Sequence, residues 1–128
     1  MDFRFGEAIK SWLAENHLLN DCDLVSLAGA SKGLVSPKNQ AEPEIILRQI
    51  EISTSLHHIT QVILMNHTDC GAYGGRDAFE STEAEHNQHV LDMKKAKAVI
   101  LEKFPDLQVK IVLAKINPLG QIGFEEIE

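Results

Sequence analysis

Apolar and polar residues follow two patterns along the chain, one typical of helices and one typical of buried strands. In residues 6–19, Ile9, Trp12 and Leu13 recur at near-helical spacing. Residues 61–67 instead form the continuous apolar run that is typical of a buried parallel strand. The patterns together predict helices over 6–19, 42–57 and 82–103, and strands over 23–29, 61–67, 107–116 and 121–127.

The order of these elements predicts an α/β fold with a parallel sheet core flanked by helices. The NPLG turn at 117–120 makes the last strand the second arm of a C-terminal hairpin. The Gly-, Pro- and Ser-containing segment 30–40 is predicted to be a long loop. It follows a strand, as does the segment after His67, so both are expected at the carboxyl edge of the sheet, where such folds bind ligands.

Composition indicates one soluble globular domain over residues 1–128, with 44% hydrophobic and 24% charged residues. The net charge of -7 disfavours nucleic acid and anionic membranes as partners. There is no apolar run of about 18 residues and no secretory leader pattern, so we expect a cytoplasmic protein with reduced thiols.

His67 and Cys70 leave the end of a predicted buried strand three residues apart, and a glycine-rich turn follows them. Imidazole and thiolate are favoured zinc ligands, and this spacing lets both converge on one ion. A packed thiol in a tight turn and a nucleophilic cysteine are the alternatives. Cys22 precedes the 23–29 strand, about 20 Å away at ~3.3 Å per residue, so we expect it to be a small buried hydrophobe that reaches neither Cys70 nor its metal.

Several other polar residues have two interpretations each. Asp2 and Arg4 are either a carboxylate oriented by a guanidinium or a surface pair at the terminus. His86 and His89 either pair on a metal or lie at the surface or behind the site. Tyr73 either lines a pocket or caps the glycine turn.

These motifs resemble those of the β-class carbonic anhydrases, which carry Cys-x-Asp-x-Arg after one strand and His-x-x-Cys-Gly after a later one. Residues 1–4 (MDFR) match x-Asp-x-Arg, and residues 67–71 (HTDCG) match the second motif. Between them, 23–31 and 46–72 resemble the family's intervening helix and strand segments. The similarity extends from Asp2 to about Val112.

The resemblance implies a Zn²⁺ enzyme that hydrates carbon dioxide reversibly to bicarbonate, and a homodimer or higher homo-oligomer. His67 and Cys70 would bind the metal, Asp2 would accept a hydrogen bond from the zinc-held water, and Arg4 would hold Asp2. In a second form of the family, the Asp itself becomes a zinc ligand. The backbone bordering the pocket would be that of Ala28, Gly29 and Gly71.

The family's first Cys ligand and its central strand correspond to positions before Met1. Three alternatives therefore remain open. A longer native chain supplies both, or this chain binds zinc weakly through Asp2, His67 and Cys70, or it is a relative that binds or scaffolds without catalysis. Hydrolysis of a related small molecule such as carbonyl sulfide is a further alternative for the same site.

Overall fold

The structure, a computed structural model, describes residues 2–128 and has a mixed α/β architecture. The helices of this part of the chain are α1 (Gly6–Glu15), α2 (Lys32–Val35), α3 (Ala41–His57) and α4 (Thr82–Lys103). The strands are β1 (Gln61–His67), β2 (Gln108–Ile116) and β3 (Ile122–Ile127). Short 3-10 turns cover Phe3–Phe5, Gly71–Tyr73 and Arg76–Ala78.

The sheet has the order β1-β2-β3, and its topology confirms the predicted parallel pair with a C-terminal hairpin. β1 and β2 run parallel, with His67 opposite Ala114, and β3 returns antiparallel to β2. Within residues 2–128, β1 pairs along one edge only. The carboxyl end of β1 therefore delivers His67 to the same edge of the sheet at which β2 ends.

Local sequence signals explain where the two long helices begin and end. The Ser81 hydroxyl accepts a hydrogen bond from the Ala84 amide and caps α4, which ends just before Pro105. Pro43 lies in the first turn of α3, where proline is tolerated, and that helix ends at left-handed His58. Both predicted helices are thus confirmed. No helix among the described residues is long and apolar enough to cross a membrane.

The core lies between α4 and the sheet. Met93, Ala96 and Ile100 of α4 are fully buried against Ile111 and Leu113 of β2 and their neighbours. On the helix, these residues recur at three- and four-residue spacing, so one face of α4 covers the strands. This packing fixes the N-terminal half of the helix behind the turn that follows β1.

The prediction of a strand over 23–29 is wrong. The segment has no strand conformation, and Leu24 and Val25 are 69% and 49% exposed. An apolar run becomes a strand only where a neighbouring strand takes up its amide and carbonyl groups. No described strand lies alongside this segment, and it ends in a turn at left-handed Gly29 and Ala30.

Three further expectations also need correction. Cys22 is exposed rather than buried, because the segment 21–26 around it forms no strand and lies at the surface. The first helix ends at Glu15 instead of residue 19, since His17 is left-handed (φ 59°) and helical propagation stops there. The loop predicted over 30–40 contains α2, whose Leu34 enters the core.

Candidate functional site

His67 ends β1 with one ring nitrogen occupied and the other free. Its Nδ1 donates to the backbone carbonyl of Thr68 at 2.8 Å, while Nε2 is buried and makes no hydrogen bond of good geometry in the described structure. The ring of Phe5, which is 1% exposed, packs on the imidazole with the ring centroids 4.6 Å apart. The Nδ1 contact leaves the Nε2 lone pair available to a ligand.

Cys70 lies beside His67 and is 4% exposed, so the turn brings the two predicted side chains together. Burial raises the pKa of the Cys70 thiol, but the contact with His67 and the backbone amides of Ala72 and Tyr73 outweigh it, and the pKa is lowered overall. For His67, burial lowers the pKa, yet Cys70 and the Thr68 carbonyl raise it overall. The two pKa values thus shift in opposite directions, as expected for a thiol and an imidazole in contact. Both cysteines are free thiols.

The glycines after Cys70 allow a turn that closes back on it. The amides of Tyr73 and Gly75 both donate to the Cys70 carbonyl at 2.9 Å. Gly75 has φ 76°, which L-residues rarely adopt, and a Cβ there would meet the carboxylate of Asp69 at 3.5 Å. Cys70 is therefore fixed by its own backbone, independently of any ligand.

Asp2 and Arg4 form the pair suggested by their spacing. The Arg4 Nη2 lies 2.7 Å from Oδ2 of Asp2, and the Arg4 backbone amide donates to Oδ1 at 3.0 Å. These hydrogen bonds lower the pKa of Asp2 to about 2 against the opposing effect of partial burial. The carboxylate is ionised and oriented, and its charge acts on His67.

Arg4 also reaches Asp69, a residue whose part in the site the sequence did not indicate. Nη1 of Arg4 lies 2.7 Å from Oδ2 of Asp69, and Nη2 donates to the Asp69 carbonyl at 3.0 Å. The contact with Arg4, followed by the Arg76 amide, holds the pKa of Asp69 below its usual value. One guanidinium thus joins the N-terminal segment to the turn that holds Cys70.

A buried polar network supports the turn from behind. Asn66 accepts from the Ser31 hydroxyl at 2.8 Å and donates to Nδ1 of His89 at 3.2 Å and to the Tyr73 hydroxyl at 3.3 Å. The Tyr73 hydroxyl in turn donates to Asp92 at 3.0 Å. Burial, with the charge of Asp92 adding to it, raises the pKa of Tyr73 to about 12.

His86 and His89 do not pair on a metal. His89 is fully buried against the Tyr73 ring, and burial lowers its pKa to about 4. His86 lies at the surface, 3.2 Å from Glu125. Tyr73 lies in the glycine turn and its hydroxyl belongs to the network behind the site, but it does not line the cavity beside His67 and Cys70.

The cavity at this edge measures about 10 Å³, about the room of one water molecule. Of the predicted bordering residues, Gly29 lines it, while Ala28 and Gly71 do not. A Cβ on Gly29 would lie 3.0 Å from the Ala72 side chain, so the close approach of the two loops requires glycine. The lining residues are Gly29, Ala30, Met65, Asn66, His67 and Cys70.

The side chains of His67 and Cys70 are of the types that bind zinc, and they would supply two protein ligands. The unpartnered Nε2 of His67 and the neighbouring Cys70 thiol match the ligand types that zinc prefers. Over residues 2–128, however, no three His, Cys, Asp or Glu side chains are arranged to hold a metal. Asp2, the expected third ligand, is engaged by Arg4.

Comparisons with known proteins agree with the motifs. A family model described as "Putative carbonic anhydrase" matches residues 1–119. An uncharacterized protein of Rickettsia bellii (strain RML369-C) is 37% identical over 120 residues, which cover 91% of this chain and 73% of the relative. Another, from Rickettsia conorii (strain ATCC VR-613 / Malish 7), is 35% identical over 128 residues, covering 98% and 69%. No solved structure matches the chain.

Proposed function

Because the chain belongs to the putative carbonic anhydrase family, we propose that it is a zinc protein whose reaction is the reversible hydration of carbon dioxide to bicarbonate. The observation that carries this proposal is the buried, unpartnered Nε2 of His67 next to Cys70, with an ionised carboxylate close by. A buried polar atom without a partner costs free energy, and a ligand at this position would offset that cost.

His67 and Cys70 are the residues that would hold the zinc. The Thr68 carbonyl accepts from Nδ1 of His67, so Nε2 would be the atom that holds the metal. Two backbone amides on the Cys70 carbonyl fix the position of the thiol. When bound, zinc supplies a Lewis acid that makes water a stronger acid at neutral pH.

Asp2 has the properties of a hydrogen-bond acceptor for the attacking water. Its pKa of about 2 keeps it ionised at neutral pH, so it is acceptor-only, and Arg4 holds its orientation. The cavity beside His67 and Cys70 has about the room of one water molecule. We therefore assign orientation of the water to Asp2 and positioning of Asp2 to Arg4.

The incomplete ligand set favours a second candidate. A catalytic zinc site normally has three protein ligands, and Asp2 can become the third only by leaving Arg4. An Asp used as a ligand no longer orients the water. A weakly active enzyme and a non-catalytic relative that binds or scaffolds are therefore both consistent with the structure, and metal analysis together with a hydration assay distinguishes them.

The first experiment is zinc analysis by mass spectrometry on zinc-replete protein, alongside Cys70→Ser. We expect close to one zinc per chain in the wild type and little in the variant, because the site loses its thiolate. Carbon dioxide hydration by stopped flow then tests the activity of the loaded protein.

Cys22→Ser is the matched control, because it removes the same atom from an exposed position outside the site. It should keep the zinc of the wild type. Absence of zinc in the wild type, or retention of zinc in Cys70→Ser, would contradict the proposed metal site. Zinc without hydration activity would favour the non-catalytic candidate.

Three further expectations belong to this proposal. Carbonyl sulfide, assayed in parallel, tests the alternative substrate. Light scattering on the purified protein tests the expected homodimer or higher oligomer. Cell fractionation tests the cytoplasmic location.

A further inference from the structure

Asp69 is the residue at which the two parts of the site meet. Its backbone is left-handed, with φ 56°, and its amide donates to the carboxylate of Glu85, which is 1% exposed. One of its own carboxylate oxygens, Oδ1, accepts from the Arg76 amide at 2.9 Å, which closes the turn around Cys70. The other oxygen, Oδ2, is left for Arg4.

Arg4 divides its guanidinium between two carboxylates. Its Nε and Nη2 face Asp2, and Nη1 with Nη2 face the carboxylate and carbonyl of Asp69. Among the side chains of residues 2–128, that of Arg4 supplies the hydrogen bonds to the Asp2 carboxylate, so the place of Asp2 relative to His67 depends on Arg4. Within residues 2–128, the hydrogen bonds that join Arg4 to the turn around Cys70 go to Asp69, and the guanidinium also lies 6.0 Å from the centre of the Phe5 ring.

We propose that Asp69 is a positioning residue that anchors Arg4, and through it Asp2, against the His67–Cys70 pair. Its role in the reaction rests on the proposed function, whereas its role as anchor does not. Charge-assisted bonds to a guanidinium are about twice as strong as neutral ones, and a two-point contact also fixes the plane of the group. Asp69 would thus set where the carboxylate of Asp2 lies.

The substitution Asp69→Asn isolates this role. Asparagine adopts the left-handed region as readily as aspartate, so the backbone conformation at position 69 is preserved. It has one oxygen, however, and that oxygen cannot occupy both the position that faces the Arg76 amide and the position that faces Arg4. The side-chain NH₂ group of the asparagine must then face either the Arg76 amide or Arg4, and that donor loses its acceptor.

The test is ¹⁵N NMR of the arginine side chains at low temperature, with the Arg4 signals assigned through Arg4→Lys. Guanidinium groups held on both sides give separate, slowly exchanging Nη signals, and free ones give averaged signals. We expect separate Arg4 signals in the wild type and averaged signals in Asp69→Asn. Asp77→Asn removes the same charge from an exposed residue in the same loop and should leave Arg4 unchanged.

A kinetic measurement addresses the reaction separately. In zinc-loaded protein, Asp69→Asn should lower kcat for carbon dioxide hydration about tenfold with zinc content unchanged, as expected from the loss of one charge-assisted contact. Wild-type protein without activity would overturn the proposed function, while the NMR measurement would still decide the anchor. Separate Arg4 signals persisting in Asp69→Asn would overturn the anchor, whatever the activity.

Discussion

Two segments bring side chains to the site, and they are held in different ways. The turn 67–76 is fixed by backbone hydrogen bonds, by the buried carboxylate of Glu85 and by the network around Asn66. The segment 2–5 has no strand or long helix and is attached through one buried ring, Phe5, and one guanidinium, Arg4. The site therefore combines His67 and Cys70, which a well-fixed turn holds in place, with the carboxylate of Asp2, whose segment is attached to the rest of the protein at few points.

This difference bears on chemistry. Residues that must hold a metal benefit from a rigid backbone, because their geometry is then fixed before the ligand arrives. A carboxylate that acts either as an oriented acceptor or as a ligand has to move between two positions, and a lightly attached segment allows that movement. Changes in each segment should therefore have different consequences.

Removing the Phe5 ring should have the largest effect on stability. Phe5 is 1% exposed and packs on His67, so Phe5→Ala is expected to lower the free energy of unfolding by about 3–5 kcal/mol. Urea denaturation measures the loss. Hydrogen exchange at residues 2–5 should increase if the ring is the main attachment of this segment.

Phe3→Ala is the matched control, since Phe3 lies in the same 3-10 turn and is 95% exposed. Its effect should stay within about 0.5 kcal/mol. Equal losses from the two substitutions would show that the buried ring does not attach the segment.

The attachment of Phe5 also shows what the sequence could predict. Spacing predicts that Asp2 lies near Arg4 and His67 near Cys70, because residues two or three apart cannot be far from each other, whereas their roles come from the resemblance of the motifs. The contact of Phe5 with His67, 62 positions away, depends on tertiary packing and leaves no local pattern.

The apolar runs at 62–65 and 24–27 make the same point for the fold. Both look like strands, but only the first has a partner, β2, whose register it shares. No described strand pairs with the second run, and Leu24 faces solvent. Hydrophobicity predicted both runs equally, because backbone pairing is a property of two segments and is invisible in either one alone.

Loss of the Glu85 charge should have an intermediate effect on stability, and this effect concerns the turn 67–76 instead of the segment 2–5. Glu85 accepts from the Asp69 amide and has Arg76 Nε 4.0 Å away. Glu85→Gln keeps the size but weakens both contacts in a buried place, so we expect a loss of about 1–3 kcal/mol in urea denaturation.

Glu83→Gln makes the same change one helical half-turn away, at an exposed position of α4. It should cost no more than about 0.5 kcal/mol. A Glu85→Gln protein as stable as Glu83→Gln would mean that the turn does not depend on its buried carboxylate.

The smallest expected effect concerns Tyr73, the single tyrosine of the chain, whose ionisation can be followed by ultraviolet absorbance. With its pKa raised to about 12, roughly a tenth of the phenol should be ionised at pH 11, against roughly nine tenths at the usual pKa of about 10. A raised pKa in the folded state means that the neutral phenol stabilises the fold. That contribution is complete below about pH 10 and is lost as pH rises towards 12.

Asp92→Asn should bring the pKa of Tyr73 down towards its usual value and change stability at neutral pH by no more than about 1 kcal/mol. Asp106→Asn, at an exposed position, should change neither the pKa of Tyr73 nor the stability. A phenol that titrates near pH 10 in protein that is still folded would show that the network behind the turn is open to water, and the turn would then be no more rigid than the segment that faces it.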